Sequence, residues 1–553
     1  MKNIYFLLIL SIIVTGCKNN TSKTVEATEE VITPFFWEAA NIYFLLTDRF
    51  NNGDTKNDLT LNRTKETAVL RNFMGGDIRG ITQKINENYF TDLGINAIWF
   101  TPVVEQIHGS VDEGTGTTYG YHGYWTKDWT VLDPNFGTKE DLEALVKAAH
   151  QKGIRILMDV VINHTGPVTQ EDPVWGNDWV RTSPACEFTS YDTTVNCTLV
   201  ANLPDILTAS ENNVKLPQQL IQKWKTEGRY ESEMASLDAY FERTNYPKAP
   251  RYYIIKWVTD YVRALGIDGF RVDTVKHTEE FVWANLYKEA AIAFNDWKTT
   301  HPEEVLDNNT FFMMGEVYNY NISGGKGFDI GDQIVNYYEN GFRSLINFEL
   351  KYDALNDYEE IFTKYDSLLN SSLKGKSVVN YMTSHDDGNP FDKERLKTYE
   401  AATKLLLTPG ASQVYYGDES SRSLTIEGAQ GDATLRSFMN WEDINNDPDT
   451  KQLVSHYQKL GKFRRDHPAI GTGRHQIIPQ IAYVFSRTLT TNDYQDKVVV
   501  ALETPIGNKE IFTGNIFPEG AKVRDTYSGK TTVVKEDKIS IDTEFSILLL
   551  EMY

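Results

Sequence analysis

Gly269-Phe270-Arg271-Val272-Asp273 is a short β-prone run that closes on a carboxylate, and Arg271 and Asp273, two residues apart, project to the same face of a strand. Outward from it the same unit recurs. Runs at 42–47, 97–101, 154–161, 311–316, 345–350, 378–383 and 413–416 are also short and β-like, and they alternate with helical patterns. Between the second and third runs, Thr138-Lys139-Glu140-Asp141 has the form of a capping box, opening a helix whose apolar face is Leu142, Leu145, Val146 and Ala149. Eight strand–helix repeats predict an α/β fold, a closed (β/α)8 TIM barrel.

The spacing between repeats is uneven at one place. From 154–161 to 269–273 the chain is far longer than one crossover helix needs, so residues 165–249 are expected to form an inserted domain after the third strand. It would contain a turn at Leu203-Pro204-Asp205-Ile206. The barrel then occupies 34–164 and 250–467. Beyond a helical stretch at 451–466 the pattern turns to alternating Thr- and Val-rich segments, such as Val498-Val499-Val500 and Ile539-Ser540-Ile541, which predicts an antiparallel β domain over 468–553.

At the N-terminus, Lys2 precedes an apolar run over 4–14, long enough for a secretory signal and too short to span a bilayer. It ends in Val14-Thr15-Gly16-Cys17, which resembles the bacterial lipobox. That resemblance implies removal of 1–16, lipidation of Cys17 and attachment to a membrane through the lipid alone. With Lys18 rather than Asp next, the expected destination is the outer membrane. Residues 17–33, rich in Lys, Asn, Thr, Ser and Glu, read as a flexible tether. Only three cysteines occur, and setting Cys17 aside leaves Cys186 and Cys197, which export to an oxidising compartment would join as a loop disulfide.

A formal charge of −22 argues against nucleic acid or an anionic membrane surface as the main partner. Thirty tyrosines and 11 tryptophans exceed what packing alone asks for and admit a flat ligand such as a sugar ring.

In a barrel, working residues stand at the C-terminal ends of strands. Four runs end that way: Asp159-Val160-Val161-Ile162-Asn163-His164, Arg271-Val272-Asp273, Gly315-Glu316 and Ser384-His385-Asp386. Arg271 beside Asp273 favours an ionised carboxylate, as a nucleophile requires. Glu316 follows Phe311, Phe312, Met313 and Met314, a setting that raises an acid toward the working range of a proton donor. Two such carboxylates roughly 5–5.5 Å apart across a glycosidic bond perform retaining glycoside hydrolysis.

Together these four segments resemble the signature regions of the alpha-amylase family of glycoside hydrolases. The resemblance covers nearly all the mature chain. It implies Asp273 as nucleophile, Glu316 as general acid/base and Asp386 as the carboxylate that orients sugar hydroxyls. It further implies His164, Arg271 and His385 around the same sugar, Lys276 and His277 beside the next two, and, from Tyr119-Gly120-Tyr121-His122-Gly123-Tyr124-Trp125, Tyr124 stacking on the sugar with His122 at its hydroxymethyl group. Ser384 departs from the pattern, standing where many members carry Asn.

The same resemblance implies structural calcium. Asn163, Asp205 and the backbone carbonyl of His277 match one site at the junction of barrel and insert. The segment Asn52-Gly53-Asp54-Thr55-Lys56-Asn57-Asp58, completed by Gly75 and Asp77, looks like a second calcium loop found in cyclodextrin glucanotransferases and some amylases; Asn52, Asp54, Asn57 and Asp58 would be its ligands.

The expected activity is endo-acting hydrolysis of α-1,4 bonds in starch, glycogen or maltodextrins. A cyclomaltodextrinase or transglycosylase of the same family remains open, as does a silent glycan-binding lipoprotein, which retention of all three carboxylates opposes. The short stretch after position 467 favours hydrolysis, since cyclodextrin glucanotransferases usually carry further β domains. Oligomeric state has no signal here.

Overall fold

The computed structural model describes residues 33–553. The signal segment, Cys17 and nearly all of the tether lie outside the described residues.

Eight parallel strands close the barrel: β1 Asn41–Leu45, β2 Ala97–Phe100, β3 Arg155–Val160, β4 Gly269–Val272, β5 Phe312–Gly315, β6 Ser344–Asn347, β7 Ser377–Tyr381 and β8 Ala411–Tyr415. Their order around the ring is β1-β8-β7-β6-β5-β4-β3-β2. Every residue of these strands is buried. That is why their sequence reads as mostly apolar or aromatic runs, with buried polar residues such as Asn41, Asp159 and Arg271 among them, rather than as strict alternation: helices cover one face and the barrel interior the other. All eight runs anticipated from the sequence become strands. The sixth is shorter at its end than expected, because Leu350 opens the helix Leu350–Asp353.

The helix Lys139–Gln151 starts at the capping box: Asp141 N donates to Thr138 Oγ1 at 3.2 Å and Thr138 N to Asp141 Oδ2 at 2.9 Å. Its buried face comprises Leu142, Leu145, Val146, Ala149 and His150.

Of the excursions that leave the barrel at the C-terminal ends of its strands, those after β3 and β2 bear most on the site. After β3 the chain forms the helices Asp192–Val195, Gln218–Thr226 and Tyr230–Thr244 before returning through Pro250–Leu265. Here Asp205 and Ile206 are a short strand pairing antiparallel with Arg181 and Val180, where the sequence pattern suggested a turn. Cys186 and Cys197 are disulfide-bonded, with Cα atoms 4.9 Å apart. The second excursion follows β2 and was not anticipated as sheet. Val104–Gln106 pairs with Thr126–Leu132, and Val111–Asp112 with Thr117–Thr118.

The C-terminal sheet runs Arg474–Ile477, Tyr483–Thr490, Gln495–Leu502, Leu548–Met552, Lys522–Asp525, Thr531–Val533, antiparallel throughout. Alternation splits its strands between two cores. Val498, Val500 and Leu502 join the main core, while Val499 and Ala501 join a smaller one with Ile539, Ile541, Leu548 and Leu550. Among the described residues, no helix is long and apolar enough to cross a membrane.

Candidate active site

The site is organised by one arginine. Arg271 on β4 sits in register with Asp159 on β3 and Met314 on β5. Its guanidinium is fully enclosed, 5.0 Å from the Trp99 ring and 5.6 Å from the Tyr124 ring, and Trp99 in turn stacks on Phe44 at 3.6 Å. Nη1 donates to Asp159 Oδ1 and Oδ2 at 3.1 and 3.2 Å and to Asp273 Oδ1 at 2.7 Å; Nη2 lies 3.6 Å from Glu316 Oε2. One cation therefore faces three carboxylates, one on β3 and the others just beyond β4 and β5.

Glu316 and Asp273 sit one residue past the ends of β5 and β4. Asp273 N donates to Val160 O at 3.0 Å and Glu316 N to Val272 O at 2.9 Å, so the ladder continues far enough to fix both. The chain then turns sharply: Thr274 adopts φ +49°, a left-handed conformation costly for a β-branched residue, and its N–H donates to Glu316 Oε2 at 2.8 Å. Burial pushes the Glu316 carboxyl up to about 8; Arg271 opposes this, and the charges of Asp273 and Asp386 add to it. Asp159 is raised to about 6, again by burial against the pull of Arg271.

Asp386 is the most open of the three expected catalytic carboxylates, with its side chain 35% exposed. Ser384 Oγ donates to its Oδ1 at 3.2 Å, so the serine that departs from the family pattern supports the carboxylate. His385 stacks on Tyr124 with ring centroids 5.4 Å apart, and Tyr124 lies 5.8 Å from His122. Tyr124 Oη donates to Asp159 Oδ2 at 2.8 Å, and its carbonyl lies 3.1 Å from His164 Nε2. Burial drives His122 and His385 well below the ordinary histidine range, with Arg436 reinforcing it, and burial lowers His164 too. Neutral imidazoles beside the carboxylates donate or accept hydrogen bonds without adding charge.

Lys276 and His277 leave the same turn as Asp273 on the Glu316 side. Lys276 Nζ donates to Tyr318 O at 3.3 Å and lies 5.2 Å from the Tyr318 ring and 5.9 Å from that of Phe188, both aromatics being partly exposed. His277 Nδ1 lies 3.2 Å from Thr194 O, and burial lowers this imidazole to about 4.

Of the residues expected to hold calcium, one set lies at the junction of barrel and insert. His164 and Asp205 form a β-bridge, Ile206 N donates to Asn163 O at 2.8 Å, and Thr278 Oγ1, on the residue after His277, donates to Asn163 Oδ1 at 3.1 Å, so Asn163 and Asp205 lie side by side with the 277–278 segment packed on Asn163. In the other loop Asn52 Nδ2 donates to Asp58 Oδ1 at 2.9 Å, while Asp54 is diverted to Arg79 and to the Lys56 N–H. Asp77 caps the helix Ile78–Asn86 and accepts from the Gly53, Asp54 and Gly80 N–H groups. Among the described residues no group of three or more His, Cys, Asp or Glu is arranged to hold a metal.

Sequence reasoning underweighted Asp159, which lies mid-run among apolar residues; its signal was a carboxylate inside a barrel strand, and the structure sets it in register with Arg271 on the next strand. Arg436 was missed altogether. It ends the short 3-10 helix Gly431–Arg436 after β8, donates through Nε to His385 O at 2.8 Å, and carries no strand-end signature.

A family model described as "Alpha amylase, catalytic domain" matches residues 44–468. The chain is 36% identical over 509 residues to the periplasmic alpha-amylase of Escherichia coli (strain K12), covering 81% of this chain and 70% of that one. It is 26% identical over 485 residues to the cyclomaltodextrin glucanotransferase of Geobacillus stearothermophilus, covering 86% of this chain but only 60% of the relative. Among solved structures it resembles the glucanotransferase CldA, described as having a three-domain ABC distribution, with a TM-score of 0.62, 19% identity, and coverage of 93% of this chain and 100% of that one. That last likeness concerns the fold alone. The barrel, the ordered strand-end groups and the length of the match lead to one conclusion: the chain belongs to the alpha-amylase family of glycoside hydrolases.

Proposed function

We propose that the protein is a retaining, endo-acting α-1,4-glucan hydrolase acting on starch, glycogen or maltodextrins. The observation that carries this reading is the contrast between two carboxyls on one guanidinium: Asp273 is charge-paired at 2.7 Å, while Glu316 is held at about 8 and stays protonated at neutral pH. Asp273 attacks the anomeric carbon as Glu316 gives its proton to the departing glycosidic oxygen, leaving a glycosyl ester. Glu316 then takes a proton from water, whose oxygen displaces Asp273. Asp386 accepts hydrogen bonds from the sugar hydroxyls, and Tyr124, His122, His164 and His385 surround the ring.

A sugar hydroxyl in place of water gives transfer instead of hydrolysis. The exposed rings of Phe188 and Tyr318 near Lys276 favour this second reading, since aromatic faces hold an acceptor sugar. Domain number does not separate the two readings: a three-domain glucanotransferase is known.

Structural calcium belongs to the same proposal. Burial pushes Asp205 up to about 8 despite Arg181 Nε at 2.8 Å, a cost that a divalent cation would remove. Asn52 Oδ1 and Asn57 Oδ1 are buried without a hydrogen-bond partner. A Cβ at Gly75 would stand 2.5 Å from Asn52 Nδ2 and 2.8 Å from Asp58 Oδ1, so the backbone is drawn into that cluster. Asn163, Asp205 and the His277 carbonyl would hold one ion; Asn52, Asn57, Asp58 and Gly75, with Asp54 and Asp77, the other. Hard oxygen donors of this kind suit calcium, which would tie loops together without entering the chemistry.

The division into barrel, insert and β domain at 164/165, 249/250 and 467/468, and export with a lipid on Cys17, complete the reading. Its test is product length over time from amylose and from cyclodextrin, using the chain freed of residues 1–17. Early mixed-length maltooligosaccharides support it. A preference for cyclodextrin, or products longer than the substrate, moves the protein to the transfer branch, and bound glycan without turnover overturns catalysis.

A further inference from the structure

Asp386 is followed directly by a second carboxylate, Asp387, that the reaction does not use. The two face different ways. Asp386 is open to the cleft, whereas Asp387 is buried and accepts from Tyr381 Oη at 2.6 Å and from Asn389 N at 3.0 Å. The oxygen that accepts from Tyr381, Oδ2, also contacts Lys351 Nζ in a close ion pair, with the lysine side chain only 3% exposed. Lys351 lies on the helix Leu350–Asp353 after β6, and Tyr381 ends β7, so two neighbouring elements grip the turn that presents Asp386. An edge-to-face aromatic series reaches the same tyrosine from the Glu316 side: Tyr318 to Phe348 at 5.2 Å, and Phe348 to Tyr381 at 5.5 Å.

Two adjacent carboxylates in a water-poor site repel one another unless one is compensated. The charged or titratable groups facing Asp386 are Arg271, Arg436, His385, Glu316, Tyr318, Tyr381 and Asp387. Those facing Asp387 are Lys351, Tyr381, Tyr318 and Asp386. Only Asp387 has a buried lysine of its own.

We propose that Lys351 and Asp387 are a positioning pair for this reaction, anchoring the 384–389 turn and cancelling the charge next to Asp386 so that Asp386 stays an anion. Lys351 holds Asp387 below the ordinary carboxylate value, in keeping with a committed ion pair. The inference rests on the assignment of Asp386 as a substrate-binding anion.

The test is the acid limb of kcat/KM against pH, measured on maltooligosaccharide for three variants. Lys351→Met leaves Asp387 uncompensated, and the limb should rise by on the order of one pH unit. Asp387→Asn leaves the lysine charge, and the limb should fall. The double variant, neutral and close to isosteric, should return the limb to its native position with kcat recovering relative to Lys351→Met. A purely structural pair would lower the melting temperature of the variants while leaving the limb in place, and that result overturns the proposal. Should Lys351→Met not fold, the downward shift in Asp387→Asn and its reversal in the double variant still decide it. Full activity in Asp386→Asn would instead remove the assignment of Asp386; an inactive Asp386→Asn with an unmoved limb in the three variants would remove only the pair.

Discussion

Arg271 and Asp159 occupy paired positions on adjacent barrel strands, and Nη1 of the arginine reaches both carboxylate oxygens at 3.1 and 3.2 Å with both side chains almost fully enclosed. This pair is the floor of the site, because the same guanidinium also contacts Asp273 and Glu316.

Removing that cation strands buried negative charge. Arg271→Met is expected to abolish turnover and to cost about 3–5 kcal/mol of stability, the usual penalty for breaking a buried ion pair from one side. Denaturant unfolding measures it; a loss below about 1 kcal/mol would mean the pair is not the floor.

The acid form of Glu316 must donate a proton, so kcat/KM should fall as pH rises through about 8 and hold steady below that on this limb. The sign for stability follows the same proton. The folded value lies above the ordinary 4.5, so the native chain keeps a proton that the unfolded chain releases; the contribution is intact below about 4.5 and is lost as pH climbs through about 8. A pH–rate profile checks the first point, and a basic limb near pH 6 would contradict the value.

Asp273→Asn removes the nucleophile with little change of shape. Turnover should disappear while the melting temperature stays within a few degrees and maltooligosaccharide still binds. Calorimetry of the variant with ligand tests this, and native hydrolysis would refute the role.

Chelation should lower the melting temperature, and added calcium should restore it. Gly75→Ala tests the loop separately: with φ +89° and no room for a Cβ, the variant should melt lower and lose part of its calcium response. An identical melt with and without chelator would remove the ion.

Much of this was legible in the sequence, for physical reasons that differ from part to part. The barrel could be read because strands buried on both faces, such as Ala97–Phe100, leave uninterrupted apolar runs, and because a capping box such as Thr138–Asp141 is local. Asp273, Glu316 and Asp386 could be read because strand ends are where a barrel exposes polar groups. The sheet after β2 could not, since Val104–Gln106 pairs with Thr126–Leu132 through irregular register shifts and no alternation survives. Arg436, Lys351 and Asp387 were hidden for another reason: their roles depend on which loops meet, and nothing local encodes the contact between Lys351 and the turn after β7.

The account rests most heavily on a covalent intermediate at Asp273, and the anomeric form of the first product reports on it directly. Proton NMR during the first minutes of maltooligosaccharide hydrolysis should show the α-anomer appearing first, then drifting to equilibrium as mutarotation proceeds. Initial release of the β-anomer would mean single displacement by water, and would contradict the roles assigned to Asp273 and Glu316.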